Sequence, residues 1–291
     1  MSIPRHLRSF SAHAWFAAAL TVAGCSSDPA PPPALPNWTP GSAAPSIRAA
    51  NTDAPTTSSR PESSHSTSPA AIVAAPDRSS EDLALDVGRH PAELLAFLEL
   101  KPGMKVAELG AGGGYTTELV ARSVAPGGVV YGQNARFFLE RFAEKPWSER
   151  LAKPVMKSVI RLDREFDDPF PESVRSLDAV VSILVYHDTV WLKYDRERMN
   201  RAVFEALRPG GAYFVVDHSA RVGSGVEDAQ TLHRIDEKFL RDEVLKAGFL
   251  LAKEGDFLRN PADTRDWNAS PKSAAERRGT SDRFALKFVK P

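Results

Sequence analysis

The segment Val106–Tyr115, Val-Ala-Glu-Leu-Gly-Ala-Gly-Gly-Gly-Tyr, constrains the fold of this chain more than any other. A short apolar run carrying one acid, Glu108, leads into the alternating glycines Gly110, Gly112 and Gly114, then into an amphipathic stretch from Tyr115 to Ser123. That pattern reads as strand, tight turn, helix. Glycines reach backbone conformations closed to other residues and leave no Cβ between the chain and a ligand. Such a turn, at the start of an alternating β/α pattern, is where a nucleotide-like ligand is expected to lie.

The alternation continues downstream. Val129–Gln133, Ser158–Leu162, Ala179–Val185 and Ala212–Val216 read as strands, with Phe249–Phe257 and Arg283–Val289 as two late ones. His90–Leu100, Tyr194–Leu207 and Arg234–Ala247 have helical spacing, and the turns Lys101–Met104 and Arg208–Gly211 punctuate them. Strands that are apolar throughout, interleaved with helices, predict a parallel sheet covered on both faces. Residues 80–291 are long enough for one such α/β domain.

The N-terminal part reads differently. Arg5 and Arg8 precede Ser9–Ser27, which holds no Asp, Glu, Lys or Arg. Its apolar part, Trp15–Val22, is shorter than the roughly 20 residues that span a bilayer. The one cysteine, Cys25, follows Val22-Ala23-Gly24 and so resembles the lipobox of bacterial lipoproteins. Residues 1–24 are therefore expected to be a lipoprotein signal peptide, with Cys25 acylated. That lipid would anchor the chain to the membrane without spanning it. The location implied is the bacterial envelope, periplasm-facing, if the signal is used, and the cytoplasm otherwise. Residues 25–79 are rich in Pro, Ser, Ala and Thr and read as a disordered tether. The balance of 37 basic and 37 acidic side chains carries no electrostatic signal for nucleic acid.

Three segments, in order, make the region from Pro91 to Pro291 resemble the class I S-adenosylmethionine-dependent methyltransferases. They are Val106–Gly114, Leu177–Leu184 and Ala206–Asp217. Arg241–Phe249 also looks like the helix these enzymes place before their final hairpin, and Tyr131-Gly-Gln-Asn134 is similar to a bacterial group of predicted methyltransferases. The resemblance implies an α/β, Rossmann-like sheet of seven strands, mostly parallel with an antiparallel last strand and helices on both faces. It also implies S-adenosyl-L-methionine as cofactor, over the carboxyl ends of the first two strands.

By the same resemblance Gly110, Gly112 and Gly114 form the turn beneath the cofactor, and Glu108 contacts its methionine portion. The second strand ordinarily ends in an acid that accepts from the ribose hydroxyls. Here Gln133 and Asn134 stand there, so one of the two is the expected ribose contact, without charge assistance. Asp163 is the candidate for the adenine amino group, with Asp167 and Asp168 close enough to leave the register open.

Methyl transfer is an in-line displacement in which alignment and exclusion of water matter most, so no fixed triad is expected. Candidate groups near the methyl follow the fourth and fifth strands: Tyr186 and His187, then His218. His187 has the residue type of a general base, or of a histidine bonded to the loop backbone. Asp217 reads as holding the loop. Asp217, His218, His233 and Asp236 lack close metal-ligand spacings, so no metal is expected. Arg259 could meet an anionic substrate or a surface acid, and Leu258–Ser281 is long enough to act as a lid. The absence of an Asn/Asp-Pro-Pro-Tyr/Phe segment or a Pro-Cys pair after the fourth strand argues against DNA and glutamine acceptors. A Tyr-His pair at this place, Tyr186-His187, is more like that of small-molecule enzymes in the family the chain resembles, so the expected acceptor is a small molecule or a lipid-like compound. The competing reading is a non-catalytic, envelope-anchored binding module. A nicotinamide-dependent dehydrogenase fits poorly, because Glu108 lies two residues before the first loop glycine.

Overall fold

The computed structural model describes residues 68–291. Their centre is a seven-stranded sheet in the order β3-β2-β1-β4-β5-β7-β6. The strands are β1 (Lys105–Leu109), β2 (Val129–Asn134), β3 (Val159–Asp163), β4 (Leu177–Ile183), β5 (Leu207–His218), β6 (Leu250–Gly255) and β7 (Arg283–Val289). Pairs among β1–β5 are parallel. The last strand, β7, runs antiparallel between β5 and β6, as expected.

Residue alternation builds a core on each face. Val180 of β4 and Tyr213 and Val215 of β5 join one cluster with Leu109, Met199, Val203 and Leu240. Ala179, Val181, Phe214 and Val216, their neighbours in sequence, join the other with Leu95, Leu98, Leu119 and Val120. Successive strand side chains point to opposite faces, so a strand buried on both sides must be apolar throughout.

The helices that supply these covers are α3 (Pro91–Leu98) and α4 (Tyr115–Val124) on one face, with α8 (Arg196–Ala206) and α10 (Glu237–Lys246) on the other. Before them come α1 (Pro69–Val73) and α2 (Ser80–Arg89). Between β2 and β3, α5 (Arg136–Phe138) continues through a π turn at Leu139–Ala143 into α6 (Glu144–Leu151). Short helices α7 (Tyr186–Trp191) and α9 (Ala229–Leu232) follow β4 and β5.

Residues 68–79, expected to belong to a tether, include a helix packed on the domain. Ser68 caps α1 by accepting from the Ala71 amide, and Ile72 buries into the core below α3. Arg78 is buried and meets Asp86 at 2.6 Å. Residues 1–24, expected as a signal peptide, Cys25, and most of the segment expected as a tether lie outside the described residues.

Candidate functional site

The strand order reverses between β1 and β4: the chain builds β1, β2 and β3 outward, then returns to lay β4 beside β1. Open α/β sheets bind ligands in the crevice at the carboxyl ends of the strands at such a switch point. The glycine turn after β1 and the Val185-Tyr186-His187 segment after β4 form its two walls. They touch, because a Cβ on Gly110 would fall 2.6 Å from Cγ2 of Val185.

The three glycines have different reasons to be glycine. All have positive φ: 66° at Gly110, 56° at Gly112 and 81° at Gly114. Gly110 makes room for Val185, and Gly114 for the Trp147 ring, 2.6 Å from where its Cβ would lie. Gly112 has nothing within 4 Å of that position. Of the three, Gly112 alone presents open space that a ligand can fill.

Gln133 and Asn134 lie at the end of β2, fully buried. Gln133 Oε1 accepts from the Gly110 amide at 2.9 Å, and its Nε2 donates to the Arg164 carbonyl. Asn134 Oδ1 accepts from the Gly112 amide at 2.8 Å, and its Nδ2 donates to the Gly112 carbonyl at 3.1 Å. This amends the expected ribose contact: both amides turn inward and hold the shape of the glycine turn. Arg150 of α6 supports that turn from outside by donating to the Gly113 carbonyl while pairing with Asp82 and Glu118, each at 2.6 Å.

Glu108 is buried in β1 and accepts from the Thr117 hydroxyl. Burial pushes its carboxyl up to about 7, against the lowering pull of Thr117 and Arg89. Asp163 pairs with Asn134 in the sheet register and meets Arg161 Nε at 2.7 Å. It borders an open groove shared with Arg136, Leu139 and Arg164.

Across the crevice, Asp217 organises the end of β5. Its carboxylate accepts from the amides of His187 and His218, each at 2.8 Å, and lies 2.7 Å from His187 Nδ1. It is completely buried, so it does hold the loop. His187 Nε2 then faces Asp188 Oδ1 at 3.2 Å and His233 Nδ1 at 3.3 Å. Burial works against a charge on His187, but Asp188 and Asp217 outweigh it and raise its pKa well above the usual value. His218 is different: burial, His187 and nearby arginines hold its pKa well below normal, and its Nδ1 meets Ser281 Oγ at 2.7 Å.

Tyr186 does not join this group. Its hydroxyl lies between α8 and α10, accepting from Asn200 Nδ2 at 2.7 Å and meeting Glu243 at 3.1 Å. The side chain belongs to the core below the sheet, because the first turn of α7 sends successive residues in different directions. Arg259 is likewise tied, to Glu237 at 2.6 Å. Leu258–Ser281 is pinned rather than free: fully buried Arg234 pairs with fully buried Asp263 at 2.8 Å and lies over Trp267. Asp236 caps α10 by accepting from the Lys238 amide.

Sequence reading missed Trp147, Arg234 and the convergence of Asp188 and His233 on His187. Trp147 lies in a segment without apolar periodicity, and Arg234 stands at the edge of a segment with helical spacing, where a charged side chain is expected at the surface. The third joins positions 46 residues apart.

Comparison with known proteins agrees with this architecture. Residues 82–146 match the family model of protein-L-isoaspartate (D-aspartate) O-methyltransferases. Among solved structures, a SAM-dependent methyltransferase from Aquifex aeolicus is 15% identical, with a TM-score of 0.52 over 77% of this chain and 98% of that one. An S-adenosylmethionine-dependent methyltransferase from Mesorhizobium loti is 18% identical, with a TM-score of 0.50 over 70% of this chain and 99% of that one. The fold is the one these methyltransferases share.

Proposed function

We propose that this chain is an S-adenosylmethionine-dependent methyltransferase acting on a small-molecule or lipid-like acceptor. The observation that carries the reading is the open side of Gly112, clamped by Asn134 in the crevice where β1 and β4 part. The family match supports it, since residues 82–146 contain this half of the site. They do not include β4 to β7, so the match says nothing about the acceptor.

When bound, the cofactor would supply a methyl group already activated on a sulfonium. The bare backbone at Gly112 would lie against it, with the turn held by Gln133 and Asn134. Asp163 remains the candidate at the adenine end. Val185 closes the crevice floor, and His187 and His218 stand on the acceptor side, fixed by Asp217. These residues orient and exclude water, which is the main work in an in-line displacement.

Incubating the protein with methyl-labelled cofactor and a cell extract, then partitioning the extract between organic and aqueous phases, tests the acceptor class. Label in the organic phase identifies a lipid-like acceptor, and label in low-mass aqueous compounds a small polar one. Label only in protein or nucleic acid contradicts the proposal. The second reading, a binding module, draws on one observation: β2 ends without a carboxylate, and its two amides bond within the protein. Failure to bind the demethylated cofactor would favour it.

We also propose that Cys25 is acylated and that the lipid holds the domain at the bacterial envelope, with residues from 26 onward serving as its tether. Intact-mass analysis of membrane-extracted protein checks this, and a mature mass that still includes residues 1–24 contradicts it.

A further inference from the structure

His187, Asp188 and His233 converge in a way the methyl-transfer reading does not require. His187 Nε2, Asp188 Oδ1 and His233 Nδ1 form a triangle with sides of 3.2, 3.4 and 3.3 Å. Donors bound about 2.0 Å from a tetrahedral ion lie about 3.3 Å from one another, so the triangle has the dimensions of one face of a zinc-type site.

Three features around it point the same way. The Nδ1 of His187 meets buried Asp217 at 2.7 Å, which directs the other ring nitrogen into the triangle. A carboxylate behind a ligating histidine is the usual outer support of a metal site, fixing tautomer and ring orientation. Asp188 Oδ1 also accepts from Trp191 Nε1 at 2.8 Å, which fixes the carboxylate. The cluster reaches solvent through His233, whose side chain is 24% exposed while that of His187 is 4% exposed.

We propose that His187, Asp188 and His233 bind one divalent first-row transition metal, of the zinc type, with a fourth position open to water or to an oxygen ligand. Two imidazoles and one carboxylate suit a borderline cation better than a hard one such as magnesium or calcium. Three protein ligands with an open position are the arrangement of sites that act on a substrate, whereas structural zinc sites close with four. The site stands beside the crevice, two residues beyond the Val185 side chain that packs on Gly110. The proposal does not rest on methyl transfer, since it needs only these side chains.

The test is a titration of the full chain, purified metal-free and without a histidine tag, with Co²⁺ and with Zn²⁺. One equivalent of Co²⁺ is expected to give the intense visible absorption of a four-coordinate ion, and Zn²⁺ to displace it. His233→Ala and Asp188→Asn change partly exposed side chains and are expected to abolish the band. Asp217→Asn, which touches the ligand and not the metal, is expected to weaken binding about 10- to 100-fold. No binding, a weak six-coordinate spectrum, or a band unchanged in His233→Ala and Asp188→Asn would each overturn the proposal. Binding of the demethylated cofactor is measured separately, so failure of either idea leaves the other standing.

Discussion

Asn134 grips Gly112 by both of its backbone groups, accepting from the amide at 2.8 Å and donating to the carbonyl at 3.1 Å. The residue expected to touch the ligand instead shapes the backbone that would touch it. Asn134→Ala removes both bonds and leaves buried polar groups behind, at about 1–3 kcal/mol each. The account predicts lower thermal stability together with weaker binding of S-adenosylhomocysteine. Asn134→Asp is predicted to be no rescue, since a carboxylate cannot donate to the Gly112 carbonyl. Paired melting and binding measurements on both variants check this.

Gly112 and Gly114 should separate binding from folding. Gly112→Ala puts a methyl into open space and costs the left-handed conformation of the turn, about 1–2 kcal/mol. Gly114→Ala has the same backbone cost and also drives a methyl into Trp147 and Arg150. Overpacking of that kind adds about 1–3 kcal/mol. Denaturant melts should show Gly114→Ala as the less stable variant. Calorimetry should show Gly112→Ala as the one that loses cofactor affinity beyond its loss of stability.

Glu108 gives the fold a pH dependence of known sign. Its carboxyl titrates near 7 in the folded chain, against an ordinary value of 4.5. Between those values the folded state holds a proton that the unfolded state has released. The stability contributed by this group is therefore present at low pH and lost as pH rises through about 7. The difference corresponds to a few kcal/mol at most, at about 1.4 kcal/mol per unit. Glu108→Gln, which stays neutral, should gain stability relative to the parent as pH rises from 5 to 8. Urea melts across that range test it, and a constant difference would contradict it.

Arg234 and Asp263 form a fully buried pair that holds the Leu258–Ser281 segment against α9 and β5. Asp263 also accepts from the amides of Arg265 and Asp282 and from Trp267 Nε1. Removing one partner strands the other charge, so Arg234→Met is predicted to cost about 3–5 kcal/mol. Limited proteolysis of the variant should then show a new cut within residues 258–281 that the parent lacks. A cleavage pattern unchanged from the parent would contradict the assignment.

How much of this was legible depended on what each element uses to hold itself. The start of α4 follows a glycine turn and β7 is a mostly apolar stretch, and the sequence reading places both at their observed limits. α2 is not legible because little apolar burial docks it: Leu83 and Val87 are exposed and Leu85 only partly buried against the core, while Asp82 and Asp86 bind Arg150, Arg78 and Tyr115. Charge pairs between distant positions leave no periodic trace. α1 was absorbed into the tether because its composition matches its surroundings and one buried residue, Ile72, anchors it. At the site, the glycine turn and the ends of β4 and β5 were found, since strand ends locate themselves. The direction of each side chain was not legible. Tyr186 and His187 are adjacent, yet one enters the core and the other the crevice side.

The central claim is that the glycine turn after β1 holds a sulfur-bearing adenosine compound. Isothermal calorimetry of the purified chain with S-adenosylhomocysteine tests it most directly. The account predicts saturable binding at one site, weakened by about tenfold or more in Gly112→Ala. The absence of any heat with the parent protein, at ligand concentrations in the millimolar range and with the fold verified by its melt, would contradict it.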